Sequence, residues 1–525
     1  MVVVVDAMAS VTGEQLKYAS SPKLGTYMHA LIRRVWDHDE CPERWHTSRL
    51  LPLFKNKGSA SDPSKYRGLM INSTIQKVLL IIMLSRVREN YEAGLLPFQW
   101  GFRRSRGTGD GVFLARQVTT KKASSIYGCF IDCRAAYDWL DRPTLWKILR
   151  LRMGSEKLVG ILERMYASTT AKLDGVTDPI NVEVGVRQGG QESCVCFNYM
   201  LDVVIRVALA KIEEQFPGAG IEHNYNIKME CTDRSQRMEH AAKGVSKSAI
   251  IMYADDILVL GRTCEELEGM MNVIHDTFSA YGLTLAAEKT VSMTWNTPEE
   301  TQTKKSLITV GGEKLDNVRE FRYLGHWLTD NPKKPQYISQ QISSAWAKWA
   351  EVKHILTDHE VKLWIRVKML EAMIRSRLTY AVQSERLRRA EKIKLDAVWT
   401  NFCRRMITGG FRRKKDNGQI GEEDEEPNWS FCLSNGQVQK ICRTTNVSEF
   451  CQRQHIKYIA HITRMPNNSE LKKWLFTKSE HRYVRDQWKE LGRELGMDEI
   501  QVRRMLFNKE ELNTWLRSRE TTWAH

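Results

Sequence analysis

The sequence predicts a mixed α+β fold. Three observations predict it. Residues 126–132 (Ile-Tyr-Gly-Cys-Phe-Ile-Asp) read as a buried strand ending on an acid. Residues 249–260 hold two apolar runs flanking Tyr253-Ala254-Asp255-Asp256, the pattern of a hairpin with acids at its turn. From about residue 336 the apolar period becomes helical, with Ile338, Ile342, Trp346 and Trp349 three or four residues apart.

The remaining elements follow in order. Leu50-Leu51-Pro52-Leu53-Phe54-Lys55-Asn56-Lys57-Gly58 reads as a strand running into a turn. Pro143 opens a helix with Leu145, Ile148 and Leu149 on one face. Residues 191–213 and 264–281 read as helices, and 291–295 and 319–328 as strands. The tryptophan and isoleucine stripe after 336 fits a packed core better than a base-stacking platform. Helices continue to about Ile407. Residues 408–430 then carry Gly409-Gly410, the basic run Arg412–Lys415 and the acidic run Glu422–Glu426, opposed charge blocks typical of a solvated linker. The last hundred or so residues are again helical and basic.

A chain of 525 residues that is 42% hydrophobic can bury a core, which excludes a disordered class and suits two to four packed units. Lys plus Arg is 79 against 63 for Asp plus Glu, a net charge of +16 that favours a polyanionic partner. The 11 cysteines include no Cys-x-x-Cys pair, so neither a disulfide framework nor an ordinary zinc site is indicated. Cys442, Cys451, His455 and His461 cluster, but at no standard finger spacing. Free thiols imply a reducing, intracellular setting. The longest apolar run, Val78 to Leu84, is far short of a membrane span, and Met1-Val2-Val3-Val4-Val5 does not read as a secretory signal. No membrane partner is expected.

The sharpest feature is the pair of acidic strand ends. A buried strand has little reason to end on unpaired carboxylates, because burying charge is costly. If the two strands are neighbours, Asp132 and Asp255 converge, and a divalent cation removes the repulsion. Two magnesium ions about 4 Å apart are the usual device for in-line phosphoryl transfer. Hard oxygen ligands suit magnesium, with manganese as the alternative. Taken alone, Asp-Asp is also a common turn pair; order and spacing decide.

Tyr253-Ala254-Asp255-Asp256 resembles motif C of reverse transcriptases, and Asp132 with Tyr137 five residues later resembles motif A. Gly185-Val186-Arg187-Gln188-Gly189-Gly190-Gln191-Glu192-Ser193 resembles motif B. Tyr281-Gly282-Leu283 through Glu288-Lys289-Thr290 resembles motif D, and Phe321-Arg322-Tyr323-Leu324-Gly325 motif E, the primer grip. Upstream, Tyr66-Arg67-Gly68 and Gln99-Trp100-Gly101-Phe102-Arg103 are similar to segments of LINE-type enzymes. So is Tyr458–Met465 downstream. All occur in the order found in non-long-terminal-repeat retrotransposon reverse transcriptases.

The resemblance implies a right-hand polymerase: fingers over 1–120, an antiparallel-sheet palm over 121–330, a helical thumb over 331–408, the charged linker 409–430 and a helical nucleic-acid-binding extension over 431–525. It implies Asp132, Asp255 and Asp256 as catalytic metal ligands for two magnesium ions. Tyr137 would exclude a 2′ hydroxyl beneath the incoming sugar. Gln188 and Gly189 would meet nucleotide or template. Lys55 and Arg67 are candidates for triphosphate oxygens, the alternative being plain surface cations. Lys289 would act as a general acid or as a neutralising charge. Phe321, Tyr323, Leu324 and Gly325 would form the primer grip. Asp138 matches a family position outside the metal site and is a candidate to cap or anchor the following helix.

The implied reaction is RNA-directed DNA synthesis on an RNA template. Deoxynucleotides are the substrates, and a DNA primer or nicked target DNA is extended in the nucleus. Two family prolines are replaced, by Gln191 and Cys194. Loss of proline loosens a helix entry, so the alternative is a catalytically impaired or domesticated copy that only binds nucleic acid. No stretch reads as the endonuclease such elements carry. Oligomeric state is not legible.

Overall fold

A computed structural model describes residues 22–56, 58–227, 241–331, 337–408, 433–481 and 486–523. The charged segment 409–430, with its Arg412–Lys415 run, lies outside them.

Helix α1 (Pro22–His38) precedes strands β1 (Thr47–Phe54) and β2 (Tyr66–Ile71), then α2 (Thr74–Gly94) and α3 (Thr108–Lys121). Strand β3 (Ile126–Ile131) leads through α4 (Arg142–Met153) and α5 (Glu156–Tyr166) to short strands β4 (Thr170–Leu173) and β5 (Ile180–Asn181). Helix α6 (Gln191–Gln215) follows, then hairpin β6–β7 (Ile221–Ile227, Ala242–Ser248), hairpin β8–β9 (Ile250–Tyr253, Asp256–Gly261) and α7 (Cys264–Ala280). Strands β10 (Val291–Trp295), β11 (Ser306–Val310), β12 (Glu313–Asn317) and hairpin β13–β14 (Glu320–Tyr323, His326–Thr329) complete the sheets. Helices α8 (Tyr337–Leu356), α9 (Leu363–Leu370), α10 (Arg389–Thr408), α11 (Asn435–Cys442) and α12 (Val447–Thr463) come next, and α13 (Glu470–Leu475), α14 (Gln487–Leu495), α15 (Glu499–Phe507) and α16 (Lys509–Trp523) end the chain.

The site rests on a six-stranded sheet of order β11-β12-β10-β3-β9-β8, antiparallel at β10-β3-β9-β8. Its central strands are apolar on both faces, so successive residues serve two cores. Cys129, Ile131, Met252, Ile257 and Val259 face one cluster, which includes residues of α4, α6 and α7. Phe130, Ile251, Leu258 and Leu260 face a second, shared with α3 and the C-terminal helices from Ile456 onward. That double burial explains why 126–131 and 257–260 read as continuous apolar runs. A third cluster joins α8, α9 and α10 with Val438, Cys442 and Cys451. In it Trp349 is buried and Trp346 packs on Phe402, ring centroids 4.3 Å apart.

Several expectations stand and some need correcting. Helix α4 begins as expected, with Pro143 in its first turn, although the cap is Asp141, whose carboxylate accepts from the Thr144 amide at 2.8 Å. Asp138 therefore does not cap it. The stretch 319–328 is a hairpin rather than one strand: Leu324 and Gly325 both take positive φ (49° and 78°), the handedness that two-residue hairpin turns favour. Hairpin β6–β7 was not anticipated. Helix α6 is long and apolar enough by length and composition to cross a membrane. Here its side chains from Cys196 to Ile212 build the first cluster.

Lys121, at the end of α3, fastens the C-terminal helices to this core. Its ammonium is buried and donates to the carbonyls of Trp474, Leu475 and Thr477 at 2.6, 3.3 and 2.8 Å, capping α13. Lys121→Met keeps the bulk and removes the ammonium from all three carbonyls; Trp474 O and Leu475 O keep Thr477 N–H and Gln487 Nε2 as donors. It is expected to lower stability in urea denaturation by about 2 kcal/mol; an unchanged midpoint would show that this contact holds nothing.

Candidate active site

Strand β3 pairs antiparallel with β9, Ile131 opposite Ile257. Continued by one residue, that register sets Asp132 across from Asp256. Tyr253 pairs with Asp256 across the β8–β9 hairpin, leaving Ala254-Asp255 as a two-residue turn. Ala254 holds φ 53°, a left-handed conformation that costs energy outside glycine. The two acidic strand ends thus meet at one end of the sheet, as the sequence requires.

Their electrostatics are those of crowded like charges. Burial raises the Asp255 carboxyl, with the charge of Asp132 adding and Arg67 opposing. Surrounding protein, then Asp255 and Asp132, push Asp256 up to about 7. Lys289 Nζ lies 3.3 Å from Asp132 Oδ1 and gives partial relief. Among the described residues no three acidic, His or Cys side chains close into a ready-made metal cage. The donor set nevertheless fits a divalent cation: all donors are carboxylate oxygens, and repulsion of this kind is what a hard cation neutralises. The cluster of Cys442, Cys451, His455 and His461 forms no such group either, and the thiols of Cys442 and Cys451 are buried in the third core.

The turn is held from behind by the Phe98–Gly101 backbone. Met252 N–H donates to Phe98 O at 3.0 Å and Trp100 N–H to Met252 O at 2.8 Å. Gln99 Oε1 accepts from Ala254 N and Gly101 N at 2.9 and 2.8 Å. A Cβ on Gly101 would lie 2.5 Å from Ala254 N, so only glycine fits. Behind it, Asn198 Nδ2 of α6 donates to Gly101 O at 2.9 Å.

Of the nucleotide-side candidates, Arg67, Tyr137 and Lys289 stand within electrostatic reach of the acids. Tyr137 stacks on Phe197 of α6, centroids 4.6 Å apart and planes at 19°; burial raises its phenol far above the ordinary range. Val186 N–H donates to Tyr137 O at 2.7 Å and Gly185 N–H to Leu140 O at 2.9 Å, docking the motif B segment on motif A. Gly185 takes φ 75°, and a Cβ there would sit 2.6 Å from Tyr137 O. Gln188 O accepts from Met70 N of β2 at 2.7 Å, and Gly189 passes close to the same strand. Strand β2 also carries Arg67, whose charge reaches Asp255 and Asp256. Lys55 is turned partly away, its Nζ donating to Ser64 O at 3.1 Å, though its charge reaches Asp138.

A family model described as "Reverse transcriptase (RNA-dependent DNA polymerase)" matches residues 54–328. The chain belongs to the reverse transcriptase family. The Pol polyprotein from type-1 retrotransposable element R2 of Popillia japonica is 24% identical over 366 residues, covering 67% of this chain and 47% of that protein. The putative 115 kDa protein in type-1 retrotransposable element R1DM of Drosophila melanogaster is 24% identical over 344 residues, covering 61% and 30%. The expected kinship with non-long-terminal-repeat element enzymes is borne out. The chain spans about half or less of the length of these relatives. A telomerase structure from Candida albicans aligns over 73% of this chain and 63% of its own at 10% identity, with a TM-score of 0.35.

In this reverse transcriptase the primer-grip candidates divide. Tyr323 and Leu324 are buried, Phe321 is half-buried and Gly325 is exposed at the hairpin tip. Phe321 stacks on Phe130 at 4.3 Å, so the hairpin is seated on the strand that ends in Asp132. Tyr380 OH donates to Leu324 O at 2.7 Å. Lys289 lies in a loop strapped to Asp132, whose carbonyl accepts from Ala286 N at 2.9 Å. Gln99, Gly101 and Phe197 were not singled out as site residues from sequence. Their roles come from backbone approach and ring stacking between distant segments.

Two outcomes are expected. Gly101→Ala pushes the acid turn out of place, and a displacement of about 1 Å costs on the order of 100-fold in rate. Full activity would show that the Gln99–Gly101 backing is dispensable. The raised Asp256 has the opposite sign from a salt-bridged acid: protonation favours the metal-free fold. Its contribution is complete below about pH 4 and is lost as pH rises through about 7. In EDTA, wild type should lose melting temperature relative to Asp256→Asn between about pH 5 and about pH 8; parallel profiles would contradict the crowding.

Proposed function

We propose that this chain is the polymerase of a non-long-terminal-repeat retrotransposon, an RNA-directed DNA polymerase that adds deoxynucleotides to a primer 3′ end. The observation that carries the proposal is the meeting of Asp132 with the Asp255-Asp256 turn through the β3–β9 register.

Asp132, Asp255 and Asp256 would hold two divalent cations, magnesium or manganese, which when bound supply activation of the primer hydroxyl and charge neutralisation on the triphosphate. Arg67, near enough to act on Asp255 and Asp256, binds triphosphate oxygens with a planar fork. Lys55 supports it as a more distant cation. Lys289, paired with Asp132, stands ready to neutralise or protonate the leaving pyrophosphate. Tyr137, fixed by Phe197, presents its ring under the sugar and rejects a 2′ hydroxyl by contact. Gln188 and Gly189 line the same pocket. The Phe321–Gly325 hairpin sets the primer end against the acids. The net charge of +16 suits an RNA template and a DNA primer or target, and binding should weaken steeply with salt. Fingers, palm and thumb are assigned on the sequence boundaries, and extension of a chromosomal target would require the enzyme to act in the nucleus.

Primer extension on an RNA template with magnesium is the test. Robust incorporation is expected, lost in Asp255→Ala, while Tyr137→Ala should admit ribonucleotides. Template binding without incorporation by the wild type would contradict the proposal, and unchanged ribonucleotide rejection in an active Tyr137→Ala would remove the gate.

A further inference from the structure

The downstream segment that begins at Tyr458 lies on α12, far along the chain from the acids. Its tyrosine reaches back to the first turn of α3. Tyr458 OH donates to Asp110 Oδ1 at 2.8 Å and lies 3.3 Å from Gly109 O, a link across 348 positions of sequence. The ring packs edge-on against Phe113 of the same helix, centroids 5.6 Å apart and planes at 75°. The second carboxylate oxygen of Asp110 is engaged too. Gly107 N–H donates to Oδ2 at 2.8 Å, which satisfies an amide left free at the helix start. One buried carboxylate thus both starts α3 and receives the C-terminal extension.

The same turn carries the primer-grip hairpin. The Thr108 hydroxyl lies 3.0 Å from Tyr380 OH, which donates to Leu324 O. Gly111 lets the Leu324 side chain in, since a Cβ there would lie 2.7 Å from Leu324 Cδ1. Gly109 admits Gln383 in the same way, its Cβ position 2.7 Å from Nε2. Gln383 O in turn accepts from His455 Nδ1 of α12 at 2.9 Å. Residues 108–111 therefore meet the grip turn, the segment before α10 and α12 together. The grip needs such support. Its strands are four residues each, joined by the positive-φ pair Leu324-Gly325, and a short two-stranded hairpin is barely stable by itself. Its position is set by what it rests on: Phe130 under Phe321, and the first turn of α3 under Leu324.

We propose that Tyr458 is a positioning residue for the primer: through Asp110 it fixes the first turn of α3, and through that turn the Leu324 end of the primer-grip hairpin. This rests on the polymerase reading and on the hairpin meeting the primer end. The consequence is that the C-terminal extension sets where the primer 3′ end lies, by a residue that touches neither primer nor metal.

The experiment is pre-steady-state addition of one deoxynucleotide to a DNA primer on an RNA template with magnesium. Wild type, Tyr458→Phe, Leu324→Ala and the Tyr458→Phe/Leu324→Ala pair are measured. Burst amplitude counts the folded, competent enzyme, and burst rate reports how well the primer end is seated. Tyr458→Phe keeps the ring on Phe113 and removes only the hydroxyl. Its rate should fall about tenfold, part of the roughly 100-fold that a misplacement of about 1 Å costs, with amplitude and deoxynucleotide dependence unchanged. The pair should be no slower than Leu324→Ala, because the hydroxyl acts through the grip turn. A reduced amplitude at the wild-type rate would show that Tyr458 holds the fold and nothing more. That result, an unchanged rate, or losses that multiply in the pair would each overturn the proposal while leaving the polymerase intact. A wild type that adds no deoxynucleotide would overturn both readings together.

Discussion

Everything at the site depends on one unfavourable interaction, the repulsion among carboxylates at the end of the β3-β9-β8 strands. The sheet is driven together by apolar burial on both faces, and its register leaves Asp132, Asp255 and Asp256 with no choice but proximity. Protein interiors tolerate such charge only when something offsets it. Lys289 offsets part from the motif D side and Arg67 part from β2. A divalent cation, bound as we propose, would offset the rest. The fold therefore spends hydrophobic energy to hold three crowded carboxylates in place.

The supporting elements follow from the need to hold that end still. The strained Ala254 turn is backed by Gln99 and by a glycine that lets the backbone approach. The strand carrying Asp132 is weighted at its middle by Phe130, on which the β13–β14 hairpin sits. The loop bearing Lys289 is pinned to the Asp132 carbonyl. Each support comes from a segment remote in sequence, and each bears on the acids through backbone hydrogen bonds or ring contacts. The C-terminal helices add to the same second core as Phe130 and Leu258, with Lys121 as their polar fastening. Arg386 and Lys392 tie the base of the α8–α10 bundle to Glu490 and Glu494 of α14. The helical C-terminus thus bears on the geometry of the bundle as well as on that of the sheet.

Much of this was legible in the sequence where the signal was local. The strand ending in Asp132 and the hairpin at Tyr253–Asp256 announced themselves because apolar runs rarely end on acids. Pro143 and the isoleucine and tryptophan stripe placed two helices. What stayed hidden was non-local or polar. Hairpin β6–β7 presents Glu222, Asn224, Asn226, Lys243 and Lys247 outward, too few apolar positions to read as strands. The 319–328 stretch passed for a single strand because Leu324, an apolar residue, occupies a turn position that normally takes asparagine or glycine. Gln99 and Gly101 act through backbone contacts with residues about 150 positions away. The departures at Gln191 and Cys194 leave the helix start intact: α6 begins at Gln191 without a proline, and its Ser193 hydroxyl donates to Arg187 O at 2.7 Å.

The most direct measurement is manganese binding by electron paramagnetic resonance, with primer, RNA template and a non-hydrolysable deoxynucleotide present. The account expects about two ions per chain in the wild type, with occupancy lost in Asp132→Ala as well as in Asp255→Ala, because the two carboxylates serve one centre. Undiminished manganese binding in either variant would contradict it.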